Sequence, residues 1–88
     1  MRVAFTPDGW RDYVHWIEND AKILATVTRL IDDARRTPFV GLGKPEPLKR
    51  ELSGWWSRRI TAEHRLVYRV EGRGDDQHIT IAQCRHHY

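Results

Sequence analysis

The sequence predicts a small α+β domain in which two helices pack on one face of a mainly antiparallel sheet, in the order β-α-α-β-β-β. Three observations carry that expectation. Residues 10 to 34 repeat apolar side chains at helical spacing, residues 52 to 87 hold three β-like segments, and 88 residues are enough for one core and too few for two. A single domain over residues 1–88 is expected.

The first element is "RVAFT", whose alternation suits a strand. Thr6 before Pro7 then reads as a helix N-cap with proline at the first helical position, and Asp8 suits the positive end of the helix dipole. Trp10, Tyr13, Val14 and Ile17 follow at i, i+3, i+4, i+7 and are expected to face the core. "END" closes that helix. Asn19 or Asp20 can cap a second one, in which Ile23, Leu24, Val27, Leu30, Ile31 and Ala34 repeat until "RRTP" breaks it. Pro38, Gly41, Gly43, Pro45 and Pro47 punctuate a long loop running to about residue 51, of the kind that carries function. The β-like segments are "LSGWWSRRI", "HRLVYRV" and "HITIAQCRHH". The second alternates Leu66, Tyr68 and Val70 against Arg65, Val67 and Arg69. "EGRGDD" supplies a hairpin turn before the third. Trp55 and Trp56 are neighbours on a strand, so one is expected in the core and the other at a partner or RNA.

Composition excludes several classes. No apolar run approaches the roughly 20 residues that span a bilayer, and "MRVAFTPDGW" lacks the apolar stretch of a secretion signal. A cytoplasmic protein with no membrane contact is expected. The lone Cys84 cannot form an internal disulfide, in keeping with a reducing compartment, and is expected to be a small buried side chain. The formal charge of +3 is unevenly spread. Residues 1–34 carry four bases and six acids, whereas residues 35–65 carry eight bases and three acids. A basic middle segment attracts polyanions, so nucleic acid is the first partner to consider, with a merely solvated face as the alternative.

RNA carries its own nucleophile, the 2′-hydroxyl, so cutting it takes a base for that proton, an acid for the departing 5′-oxygen and cations for the phosphorane charge. Glu46, His87, Lys49, Arg59 and Arg65 contain those chemical types, although spacing alone does not separate a site from a scatter of surface charges. No metal or other cofactor is required. His86 and His87 are adjacent on an expected strand and would point to opposite faces, which disfavours a shared metal ion.

The run "RRTPFVGLGKPEPLKRELSGWWSRRITAEHRLVYRV" with the ending "IAQCRHHY" resembles the YoeB/Txe toxins of the RelE/ParE superfamily, the toxin halves of type II toxin–antitoxin systems. The likeness covers essentially the whole chain and implies a microbial-ribonuclease-like (RelE/YoeB) fold. It also implies a ribosome-dependent endoribonuclease that cuts mRNA in the A site of the 70S ribosome and inhibits translation. By this resemblance Glu46 would be the general base, His87 the general acid and Arg65 the stabiliser of the transition state. Lys49, Arg59 and Glu63 would support substrate or side-chain orientation, and Tyr88 would meet a substrate base. The implied partners are a cognate YefM-like antitoxin, whose disordered acidic tail covers the basic sheet face, and a second copy in a homodimer. "EGRGDDQH" looks longer than the corresponding hairpin of the family. Two other readings of the same sequence are a non-catalytic RNA-binding module and a gyrase-inhibiting member of the superfamily.

Overall fold

The computed structural model describes residues 1–87, and within them the expected order of elements is kept with one short strand added ahead of the last three. Strand β1 (Arg2–Phe5) leads into helix α1 (Pro7–Asn19) and helix α2 (Ala21–Arg36). Strands β2 (Glu46–Pro47), β3 (Trp56–Arg59), β4 (Arg65–Glu71) and β5 (His78–Gln83) complete one sheet, in the order β1-β5-β4-β3-β2. β1 runs parallel to β5, and the other pairs are antiparallel. Among the described residues no helix is long and apolar enough to cross a membrane.

The caps explain the helix ends. The Thr6 hydroxyl accepts the Gly9 amide at 3.0 Å, with Pro7 at the first helical position. Asp20 serves both helices. Its N–H donates to the Trp16 carbonyl at 3.0 Å, while its carboxylate accepts the Lys22 and Ile23 amides at 3.1 and 3.0 Å. A single residue therefore turns the chain, and the two helices lie as a hairpin on one face of the sheet.

Val27, Leu30, Ile31 and Ala34 of α2 join Leu66 and Tyr68 of β4, Ile79 and Ile81 of β5, Trp16 and Cys84 in the buried core. The expected stripe of α1 is displaced. Trp10 and Ile17 are each 52% exposed, and the buried positions are Gly9 and Trp16 with Tyr13 packed beside them. Close approach decides this face. A side chain at position 9 would collide with the Ile81 carbonyl, so only glycine lets α1 lie against β5. Trp16 also has a buried hydrogen-bond partner in the Cys84 carbonyl at 2.8 Å, which Trp10 and Ile17 do not offer.

Three strand expectations are corrected. The loop of residues 38–51 contains β2, whose Glu46 pairs with Ser57 and Pro47 with Trp56. The β-like segment of residues 52–60 is a strand only over Trp56–Arg59, because Arg50–Leu52 forms a 3₁₀ turn and Gly54 takes a left-handed backbone. The last strand stops at Gln83 and does not reach the paired histidines. There α1 captures the chain: the Cys84 N–H donates to the Asp12 carboxylate at 3.1 Å, and its carbonyl accepts the Trp16 indole N–H. Both ladder groups of Cys84 are consumed by side chains, so the strand cannot continue. The opposite-face argument for His86 and His87 therefore does not apply; His86 has φ of 64° and lies outside any strand.

Arg58 fastens the loop to the core. It is fully buried, and its guanidinium donates five hydrogen bonds. Nε reaches the Tyr68 hydroxyl at 2.9 Å. Nη1 reaches Asp33 Oδ2 at 2.6 Å and the Leu42 carbonyl at 3.1 Å, and Nη2 reaches the Thr37 and Val40 carbonyls at 2.7 and 2.9 Å. The Tyr68 hydroxyl in turn donates a hydrogen bond to the Pro38 carbonyl at 2.6 Å. The Leu42 amide and the Arg58 guanidinium together hold the Asp33 carboxyl below the ordinary aspartate value, the amide being the larger cause.

Candidate active site

Pleating sorts the sheet residues. Trp56, Arg58, Leu66 and Tyr68 face the helices, so Ser57, Arg59, Arg65, Val67 and Arg69 face the other way. On that open face Glu46 lies opposite Ser57 across β2 and β3, and Arg59 lies opposite Arg65 across β3 and β4. Gly43, Lys44, Glu46, Ser57, Arg59 and Arg65 line one small pocket. Of the residues singled out in the sequence, Glu46, Arg59 and Arg65 are thus brought together.

The loop that forms the pocket wall is pinned from behind. The Arg59 amide donates to the Gly43 carbonyl at 2.7 Å, and the φ of 78° at Gly43 lets the backbone pass Leu30 and the Arg58 side chain, where a Cβ would stand 2.9 and 3.1 Å away. Lys44 follows with φ of 54°, an uncommon conformation for a lysine. Glu46 is therefore carried by a paired strand and not by a free loop. Among the described residues the carboxylate of Glu46 makes no ion pair with Lys44 or Lys49. Three cations and one carboxylate around a concave surface favour an anion with a proton to lose, and a phosphodiester next to a hydroxyl has that character.

Of the other expected residues, His87, Lys49 and Glu63 lie outside the pocket lining. His87 is exposed, and its Nε2 lies 3.3 Å from the Ala62 carbonyl at the turn between β3 and β4. It does not line the pocket. It follows His86 directly, whose carbonyl accepts the Arg65 amide at 3.0 Å, so it stands at the β4 end where Arg65 begins. Lys49 is exposed at the start of the 3₁₀ turn, outside the pocket lining. Glu63 is exposed in the β3–β4 turn, which the Thr61 hydroxyl organises by accepting the Glu63 and His64 amides at 3.2 and 3.1 Å. Tyr88 lies outside the described residues.

Sequence reasoning missed Ser57 as a lining residue and Arg58 as the loop's anchor. The alternation of "WWSRR" held a signal for both, since it sends Ser57 and Arg59 to one face and Trp56 and Arg58 to the other. The tryptophans divide accordingly. Trp56 packs on the core and against Phe39, with ring centroids 4.9 Å apart, whereas Trp55 carries the Arg69 guanidinium 4.4 Å from its ring centre. Farther along the open face Glu71 accepts from the Thr80 hydroxyl and from Arg69, which together hold its carboxyl below the ordinary glutamate value.

The family model described as YoeB-like toxin of bacterial type II toxin–antitoxin system matches residues 5–88. The toxin YoeB of Streptomyces coelicolor is 57% identical over 88 residues, covering 100% of both chains. The solved structure of a YoeB/ParE toxin from Agrobacterium tumefaciens superposes with a TM-score of 0.95 at 53% identity, again over 100% of both chains. A heterotetrameric YoeB–YefM toxin–antitoxin complex from Staphylococcus aureus contains a chain with a TM-score of 0.86 and 43% identity, covering 100% of this chain and 98% of that one.

Proposed function

Since this chain belongs to the family of YoeB-like toxins of bacterial type II toxin–antitoxin systems, we propose that it is a ribosome-dependent endoribonuclease that cuts messenger RNA in the ribosomal A site. The observation that supports this most directly is the grouping of Glu46 with Arg59 and Arg65 around one cationic pocket, with the carboxylate making no ion pair among the described residues. In this reading Glu46 takes the proton of the 2′-hydroxyl, and the oxygen so released attacks the adjacent phosphorus. The bond from phosphorus to the 5′-oxygen breaks, and His87 supplies the proton that this oxygen needs. The products are a 2′,3′-cyclic phosphate and a 5′-hydroxyl.

Arg65 bears on the dianionic phosphorane, for which a planar guanidinium with parallel donors is better suited than an ammonium. Arg59 and Lys49 hold the flanking phosphates, Glu63 orients the arginines, and Tyr88 meets a base. The nucleophile belongs to the substrate, so the scheme uses no cofactor. The basic open face also suits an antitoxin with an acidic segment; the staphylococcal relative forms a complex with YefM, and its structure as a YoeB dimer supports pairing of two copies.

The test is incubation of purified protein with ribosomes paused on a defined message, followed by mapping of the ends. Cut message with cyclic phosphate and 5′-hydroxyl ends is expected. Glu46→Gln and His87→Gln should each lower the cleavage rate about 10²- to 10⁴-fold without unfolding the protein. Message left intact by the wild-type protein would refute the proposal, and a His87→Gln variant as fast as wild type would remove the imidazole from the scheme.

A further inference from the structure

The backbone around His87 is held by an unusual hydrogen bond. β5 has ended at Gln83, yet His86 still faces the start of β4: its carbonyl accepts the Arg65 amide at 3.0 Å, and its own N–H donates at 2.8 Å to Nδ1 of the His64 ring. The His64 carbonyl cannot play that part, because it accepts the Ile60 and Thr61 amides at 3.0 and 3.2 Å and so closes the turn between β3 and β4. An imidazole nitrogen stands in for a missing ladder carbonyl. His86 has φ of 64°, in the left-handed region that residues with side chains seldom occupy, and this clip is what holds it there.

An amide N–H can only donate, so Nδ1 of His64 must carry a lone pair and the ring proton sits on Nε2. The ring is set by its neighbours: it meets the buried Trp16 edge-on with centroids 4.8 Å apart and stands 5.5 Å from the His86 ring.

Resting on the reading of His87 as the acid, we propose that His64 is a positioning residue: by accepting the His86 amide at Nδ1 it fixes the backbone from which His87 reaches the departing oxygen. Protonation at Nδ1 would set two donors against each other and release the clip. Partial burial is the main cause holding His64 below the ordinary histidine value. The charges facing it are Glu63, which opposes that shift, and His86, Arg85 and His15, which reinforce it. Acidification therefore removes the acceptor that holds His87 in place.

Two variants separate this role from simple packing. His64→Leu fills the space without an acceptor, and His64→Asn restores an oxygen acceptor that does not titrate. In the ribosome-programmed assay at neutral pH, His64→Leu should cut about 10²-fold more slowly, the scale expected when a reacting group is misplaced by about 1 Å. His64→Asn should recover most of the rate and lose the decline that wild type shows toward acid pH. In full-length protein labelled with ¹⁵N, a through-bond coupling between the His86 amide nitrogen and His64 Nδ1 should be present at neutral pH and vanish as His64 protonates. Wild-type speed in His64→Leu, no recovery in His64→Asn, or absence of the coupling would overturn the proposal. A fully active His87→Gln variant would instead overturn the acid assignment, and the coupling would still report on the clip.

Discussion

Replacing Arg58 with methionine tests how the loop of residues 37–44 is held. Methionine keeps most of the apolar stem and removes all five hydrogen bonds of the guanidinium. Exposed arginine–carboxylate pairs contribute about 0–1 kcal/mol, but removing one member of a buried pair costs about 3–5 kcal/mol because the other charge is left without compensation. Asp33, the charge left behind, is 22% exposed, but the Thr37, Val40 and Leu42 carbonyls and the Tyr68 hydroxyl lose their buried donor as well, so the larger figure applies to the site as a whole. A domain of this size has a total stability of about 4–13 kcal/mol. The variant should therefore lose about a quarter of it or more. With a urea m-value of about 1–1.5 kcal/mol per M, the midpoint should fall by about 2–5 M. Arg58→Lys offers three donors in place of the planar fork and should recover about half of that loss. Urea unfolding followed by tryptophan fluorescence measures both, with Trp16 and Trp56 reporting from the core. A loss below about 1 kcal/mol for methionine, or equal losses for methionine and lysine, would refute the anchoring role.

The same pair gives a pH dependence. Asp33 is held below the unfolded aspartate value of about 3.9, so its contribution is complete above that pH and disappears as the pH falls through the lower folded value. Acid titrations of stability should show a shallower fall for Asp33→Asn than for wild type, and identical slopes would contradict the assignment. Gly9→Ala should destabilise by about 1–3 kcal/mol, although alanine is the better helix former by about 1 kcal/mol, because its methyl group meets the Ile81 carbonyl; thermal melting decides the sign. Cys84 is fully buried, and burial together with the nearby Asp12 pushes its thiol up to about 12, so a thiol reagent at pH 8 should label it only as fast as the protein unfolds. Labelling at the rate of a free thiol would show that the Gly9–Cys84 contact is open.

Local signals carried the helices well. The Thr6–Pro7 start, the Asp20 cap and the α2 stripe depend on neighbours within a few residues, and the structure has all of them. The α+β class and the placement of helices on one face followed from the same information. What the sequence hid depends on contacts between distant segments. The buried face of α1 is chosen by the fit of Gly9 to β5, and β5 ends where Asp12 and Trp16 take the backbone of Cys84. Neither appears in a count of apolar residues. For the site, alternation along β3 was enough to put Arg59 on the open face, but the strand character of Glu46 was masked by Pro45 and Pro47 on either side. The contact of His64 is one lone pair aimed at a residue 22 positions away, which no local pattern carries.

β5 lies between β1 and β4, so residues 78–83 separate strands made at opposite stages of synthesis. The Thr6 hydroxyl already waits for the Ala82 carbonyl, 76 positions downstream. Until that late segment emerges, β1 has no partner strand and α1 lacks the strand against which Gly9 fits. Contacts of such long range form slowly. A ribosome making this chain thus releases the last strand of the sheet before the first one can be paired, so closure of the fold follows the end of synthesis.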